Sequence, residues 1–212
     1  ELTPEFVQIV ATDAHRLVKS KRTDVMSPTT DSFIVPKKPL NLLKNALPNT
    51  DDDITISYNK NHLFVKHNAL QLSCRLIDAR FPDYKVVIPG DNPFKLFVSK
   101  IDFQQALRRV SIFSNKSTNQ VALTITGNQL QLEAQDIDFS FEGNERLSCQ
   151  YNGDDLKIAF NAKFLIEMLN AAETQEVVIE LSTGTKAGIL KPTEQLEGED
   201  LMMLVMPLML NN

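Results

Sequence analysis

The sequence predicts an α+β fold: repeated β-α-β-β-β units, with antiparallel sheets and short helices packed on one face. Three observations predict it. Three stretches align in register, each carries an apolar stripe at helical spacing, and each is followed by strands of alternating polarity. The stretches are Phe33–Leu47, Leu96–Val110 and Ile158–Ala172. Each begins with an apolar triplet of strand character: Phe33-Ile34-Val35, Leu96-Phe97-Val98 and Ile158-Ala159-Phe160. A breaker or cap follows at one register, namely Pro36, Ser99 and Asn161. Ser and Asn there accept a hydrogen bond from the free N–H groups of a first helical turn.

The helices come next. Phe103, Ala106, Leu107 and Val110 stand at i, i+3, i+4, i+7, and Leu165, Met168, Leu169 and Ala172 repeat the spacing. The first copy keeps Leu40, Leu43 and Leu47 but has Lys44 where the others have Leu, which predicts a shorter or tilted helix. The strands follow in threes. Ile54, Ile56 and Tyr58 precede a turn at Asn59-Lys60-Asn61, then Leu63 and Val65, then Leu70, Leu72, Cys74 and Leu76. Val121, Leu123 and Ile125 precede Thr126-Gly127-Asn128, then Leu130, Leu132 and Ala134, then Phe139 and Phe141. Val177, Ile179 and Leu181 precede Ser182-Thr183-Gly184-Thr185, then Ile189, then Leu201, Met203 and Val205. Period-two alternation around Asn and Gly turns predicts antiparallel hairpins with one buried face.

Such a unit cannot bury its own sheet face, so units are expected to pair into domains. The second and third form one complete domain, 89–212. Residues 6–26 read as the two closing strands of a fourth unit, and with the first unit they make a partial domain, 1–88. The chain opens at Glu1 rather than Met and runs at once into the strand-like stretch Phe6–Ala11. The expectation is an N-terminally truncated piece of something longer.

Composition narrows the function. A net charge of −5 argues against a surface that coats nucleic acid throughout, while leaving room for one basic face. Cys74 and Cys149 are too few and too far apart for a disulfide framework or a Cys-x-x-Cys metal site. With no signal peptide and no 18-residue apolar run, a cytoplasmic protein without a membrane partner is expected. His62 and His67 have no third ligand near in sequence, and Asp51-Asp52-Asp53 reads as a solvated loop, so no metal or other cofactor is expected.

Four strings resemble the bacterial DNA sliding clamp family, the β subunit of DNA polymerase III: Val10-Ala11-Thr12-Asp13-Ala14-His15-Arg16-Leu17, Arg80-Phe81-Pro82-Asp83-Tyr84, Phe160-Asn161-Ala162-Lys163-Phe164 and Leu204-Val205-Met206-Pro207-Leu208-Met209-Leu210. They occur in the family's order and spacing. The resemblance runs from about Phe6 to the end, corresponding to most of the family's middle domain and all of its C-terminal domain. Ala14 replaces the family's usual Gly, Met209 its common basic residue, and two residues follow the usual final Leu.

The resemblance implies the DNA-clamp fold and a non-enzymatic function. A clamp encircles duplex DNA without regard to sequence and confers processivity on the replicative polymerase. It tethers polymerase III subunits, the clamp loader and repair proteins through a groove for short peptides with a Gln-Leu-x-Leu-Phe type core. To that groove the resemblance assigns Thr12, His15, Arg16 and Leu17, then Pro82 and Val87, Asn161 and Phe164, and Val205, Met206, Pro207 and Leu208. The residue chemistry agrees, since Met adapts to varied partners and Pro207 removes a ladder donor at a strand's end. Core packing of the closing strand is the competing account for alternate residues of Leu201–Val205.

The resemblance implies that the helices face DNA, with Lys37, Lys38, Lys100, Arg108, Arg109 and Lys163 on that side. Four of these are lysines in or just before a first turn, where the helix dipole disfavours a cation, so something must compensate. A solvated polar helix face is an equal alternative. Ile112 and Phe113 are assigned by resemblance to the ring interface of a homodimer in the full-length parent. This shorter chain would lack half of each contact and need not close, so it could remain monomeric.

Two other functions are weighed. A repeat-built interaction module not involving DNA would use the same surfaces. A hydrolase would need Asp13 and His15, which would share a strand face, yet no nucleophile elbow or oxyanion donor accompanies them.

Overall fold

The computed structural model describes residues 1–50 and 52–210, so Asp51 of the acidic run and the terminal Asn211-Asn212 lie outside the described residues. The chain opens with a hairpin, β1 (Val7–Thr12) and β2 (Arg16–Arg22). The first unit follows as α1 (Lys37–Ala46), β3 (Thr55–Tyr58), β4 (His62–His67) and β5 (Leu70–Arg75). A connector with one 3₁₀ turn, Tyr84–Val87, leads to β6 (Phe94–Ser99) and α2 (Lys100–Val110). A second 3₁₀ turn, Ser111–Phe113, precedes β7 (Gln120–Thr126), β8 (Gln129–Asp136), β9 (Phe141–Ser148) and the short β10 (Gln150–Tyr151). The last unit is β11 (Leu156–Asn161), α3 (Ala162–Ala171), β12 (Glu176–Leu181), β13 (Gly188–Pro192) and β14 (Glu199–Val205).

The caps match their sequence signals. Ser99 Oγ accepts from the N–H of Asp102 at 3.4 Å, and Asn161 Oδ1 accepts from Lys163 and Phe164 N–H at 3.0 and 3.4 Å. Pro36 has no side chain to do this but presets the backbone with φ −66°. The turn after β3 is closed by Asn59 Oδ1, which accepts from the N–H groups of Asn61 and His62, both at 2.9 Å.

The units pair by exchanging their first strands. The four-stranded sheet has the order β11-β7-β8-β9, so the third unit's first strand edges the second unit's hairpins. The seven-stranded sheet has the order β1-β2-β14-β13-β12-β6-β10, so the second unit's first strand edges the third's. Helices α2 and α3 are packed between them. The stripe residues Phe103, Ala106, Leu107, Leu165, Leu169 and Ala172 are completely buried, with Leu96, Leu123, Leu132, Ile158 and Phe160 from the strands. Each of the Leu, Ile and Phe side chains among them contributes roughly 1.5–3 kcal/mol by leaving water.

Strand β2 pairs with β14 over seven residues, from Glu199 opposite Arg22 to Val205 opposite Arg16. The opening hairpin therefore extends the last unit's sheet. The first unit keeps a separate three-stranded sheet, β3-β4-β5, over a small core of Leu43, Leu63, Val65 and Cys74.

Four sequence expectations need correction. Phe33-Ile34-Val35 forms only an isolated bridge, Ile34 with Ile77, because no second strand lies beside it among the described residues. Helix α1 is not shortened: it has ten residues, the same as α3. Its stripe is instead poorly covered, with Leu40 47 % exposed. Phe139 and Phe141 are exposed rather than core, because β9 is an edge strand and Phe141 lies at its end. Asp13 and His15 do not share a strand face, because Asp13-Ala14-His15 is the turn between β1 and β2.

Candidate functional site

The β1–β2 turn is built by its own side chains. Thr12 Oγ1 donates to the carbonyl of Arg16 at 2.8 Å and accepts from the N–H of Ala14 at 3.2 Å. Asp13 Oδ1 accepts from the N–H groups of His15 and Arg16, both at 3.1 Å. These bonds hold Ala14 at φ +72°, the left-handed region, where a side chain costs about 1–2 kcal/mol.

Arg16 joins this turn to α3. Its Nε donates to Asp13 Oδ2 at 3.0 Å and its Nη1 to Glu167 Oε2 at 2.7 Å. The guanidinium lies 4.4 Å from the centre of the Phe164 ring, and the His15 ring stacks on the same phenyl at 6.1 Å. Partial burial pushes the Asp13 carboxyl up, but the hydrogen bonds from Arg16 and from two backbone N–H groups outweigh it and hold the group below its ordinary value. The acidic partners keep the Arg16 guanidinium charged against the same burial.

The chain's last stretch closes the arrangement. The N–H of Met206 donates to the carbonyl of His15 at 2.9 Å, and that of Leu208 to Ala159 at 2.8 Å. Pro207, between them, has no N–H to leave unpaired. Asn161 braces the Phe164 side: besides capping α3, its Nδ2 donates to Thr118 O at 3.0 Å. Met206 is thereby held with its side chain 41 % exposed. It lines a cavity of about 460 Å³ with Val86, Val87, Ile88, Pro89, Gly90, Asp91, Thr185, Lys186 and Ala187.

The structure thus brings most of the expected groove residues to one region. Thr12, His15, Arg16, Asn161 and Phe164 form a platform on one side of Met206, and Val87 lies in the cavity on the other. Pro82 is exposed at the entry of the 3₁₀ turn and does not line the cavity. Leu17 and Val205 are both buried. Leu17 is 2 % exposed beneath the cavity, packed with Tyr84, Ala187, Ile189, Met202 and Leu204. Val205 is 1 % exposed in the main core, because β14 alternates and its side chain faces α3's layer. Both support the site from behind.

Sequence reasoning missed Ile88, Lys186 and Ala187 in the cavity, and Glu167 on the platform. Glu167 was findable, since it lies three residues after Phe164 and so on the same helical face. Thr185 to Ala187 carried no such signal, being placed by the β12–β13 turn.

The basic helix residues divide. Lys37, Lys38, Arg108 and Lys163 are exposed with no ion-pair partner among the described residues. Lys100 points elsewhere: its ammonium donates to the carbonyl of Ala172 at 2.6 Å, at the C-terminus of the neighbouring α3. That is the compensation its first-turn position requires. Arg109 grips Glu145 on β9 with two nitrogens, its Nε at 3.0 Å.

Ile112, 64 % exposed, and Phe113 stand beside the free edge of β9, with Phe139 and Phe141 stacked nearby at 6.0 Å. The Phe113 ring lies against Gly143, leaving no room for a Cβ there. No group of three metal-ligating side chains occurs among the described residues, where His67 instead faces Asp52 at 3.6 Å. No helix among them is long and apolar enough to cross a membrane.

Comparison with known proteins places the chain. The family model for the DNA polymerase III beta subunit, central domain, matches residues 1–83, and that for its C-terminal domain matches 85–208. The beta sliding clamp of Escherichia coli K12 is 32 % identical over 178 residues, covering 84 % of this chain and 48 % of that protein. That of Staphylococcus epidermidis is 28 % identical over 93 % of this chain and 52 % of its own length. The chain thus spans about half the length of these relatives. Among solved structures, the DNA polymerase III beta subunit of Thermotoga maritima superposes with a TM-score of 0.89 at 29 % identity, covering all of this chain and 56 % of that one. The sliding clamp of Pseudomonas aeruginosa bound to griselimycin gives 0.91 at 25 % identity, covering 99 % and 56 %.

Proposed function

Since this chain belongs to the DNA polymerase III beta subunit family, we propose that it forms part of a cytoplasmic DNA sliding clamp, a non-enzymatic ring component that tethers partners to duplex DNA. The observation that carries the reading is the double-sided site around Met206, where the strand seam β2–β14 ends between an aromatic platform and an apolar cavity. An extended peptide with a Gln-Leu-x-Leu-Phe type core would place its apolar anchors in the cavity and against Phe164, with backbone hydrogen bonds fixing register. Polymerase subunits, clamp loader and repair proteins would compete for this groove.

In this reading the chain divides into a partial domain at 1–88 and a complete one at 89–212. Lys37, Lys38, Arg108 and Lys163 supply the DNA-facing charge, with Lys100 and Arg109 engaged within the protein. A contact of few, exposed cations is salt-sensitive and blind to sequence, as sliding requires. Ile112 and Phe113, with the open edge of β9, supply one half of a ring contact in the full-length homodimer. Ring closure would make retention on DNA topological, so circular DNA would be held and linear DNA lost.

The test is titration of a fluorescent peptide carrying that core. We expect saturable binding that Met206→Asp abolishes while the circular dichroism spectrum is unchanged. A folded protein that shows no binding at high micromolar peptide would end the proposal.

A further inference from the structure

We propose that Lys186 selects acidic peptides for the cavity beside Met206, so that a partner carries Asp or Glu next to its apolar anchor. The inference rests on the peptide-binding reading of this site and adds the charge of the partner to it. Two charged side chains line the cavity, Lys186 from the β12–β13 turn and Asp91 from the connector. Both are exposed, and neither belongs to an ion pair among the described residues. Arg16, the cation of the platform, is already matched: its guanidinium is held between Asp13 and Glu167 and lies over the Phe164 ring. Of Arg16 and Lys186, only Lys186 keeps an unmatched charge among the described residues.

The backbone fixes where that charge stands. The N–H of Lys186 donates to Thr183 O at 3.4 Å, closing the turn on one side. On the other, Ala187 is buried and Gly188 pairs with Val205 at the start of β13. The lysine stem therefore rises from a held position at the rim, while its four carbons leave the ammonium free to swing.

Successive side chains of an extended peptide point to opposite sides. When one enters the cavity as an apolar anchor, its two neighbours stand at the rim, where Lys186 meets them. Asp91 repels a carboxylate from the connector side, so the acidic residue lies toward the β12–β13 wall. With a net charge of −5, the whole chain does not attract an acidic ligand from afar. The preference is consequently short-ranged and belongs to this one rim cation. A solvent-exposed pair of this kind is modest, about threefold in affinity at low salt, and it fades at about 1 M salt, where screening acts over roughly 3 Å.

The test uses the full chain and fluorescence anisotropy with three labelled peptides. The parent has the core Gln-Leu-Asn-Leu-Phe followed by Asn. The others place Asp either between the two leucines or directly after Phe. At least one acidic peptide is expected to bind about threefold tighter than the parent at low salt, with the advantage lost in Lys186→Met and kept in Lys163→Met. Lys186→Glu should reverse the preference, favouring Lys over Asn at the same peptide position. Equal binding of all three peptides overturns the proposal while leaving the groove intact. An advantage that survives Lys186→Met overturns it as well. Failure of every peptide to bind a folded protein ends both this inference and the function it rests on.

Discussion

Replacing Lys100 with Met separates two accounts of a basic residue on α2. The ammonium donates at 2.6 Å to Ala172 O, and Ala172 itself is completely buried. A hydrogen bond from a charged donor contributes about 1.5–3 kcal/mol, and a cation at a partly buried helix C-terminus up to about 2 kcal/mol, two overlapping descriptions of one contact. Methionine keeps most of the apolar stem, so packing changes little. The expected loss is about 2 kcal/mol. For a cooperative unit of this size, about 2–4 °C of Tm is lost per kcal/mol, giving a fall of about 4–8 °C. Differential scanning calorimetry measures it, with Lys38→Met as an exposed control expected to move Tm by less than about 2 °C. Under the proposed function, DNA retention by a ring that contains this chain should keep its salt dependence in the Lys100 variant. An unchanged Tm with a shallower salt slope would refute the capping account and return Lys100 to the DNA face.

Two further outcomes are expected. Ala14→Gly relieves the left-handed strain at φ +72° but adds freedom to the unfolded chain, so thermal unfolding should show a net gain of about 0.5–1 kcal/mol with peptide affinity unchanged. The Asp13 carboxyl is depressed in the fold, so its stabilising effect is complete above the ordinary value of about 3.9 and is lost as pH falls through the lowered one. Asp13→Asn should therefore flatten the acid limb of a stability–pH curve measured from pH 5 to pH 2, while leaving stability differences above pH 5 constant.

Much of the architecture was legible because it is periodic. The stripes at Phe103–Val110 and Leu165–Ala172 and the caps at Ser99 and Asn161 are local signals, and local physics decides them. The exchange of β6 and β11 between units was not legible, because each strand satisfies its own period equally well in either sheet. Phe33-Ile34-Val35 failed for a related reason. Its composition suits a strand, but a strand needs a neighbour, and neighbours are tertiary. At the site, the resemblance carried the residues while burial sorted them: Leu17 and Val205 share the motif strings with Arg16 and Met206, yet alternation turns their side chains inward. The destination of Lys100 could be read only as a conflict with the helix dipole, since its acceptor lies 72 residues away.

The seam between β2 and β14 has a consequence for when this protein becomes competent. Residues 16–22 wait for residues 199–205 before they have a partner on that side, a span of some 180 positions. Contacts so distant in sequence form late, because the chain between them must first be ordered. The platform and cavity around Met206 exist only after that last strand has docked. A nascent or partly unfolded chain lacks this arrangement, so under the proposed function peptide binding would be conditional on completed folding.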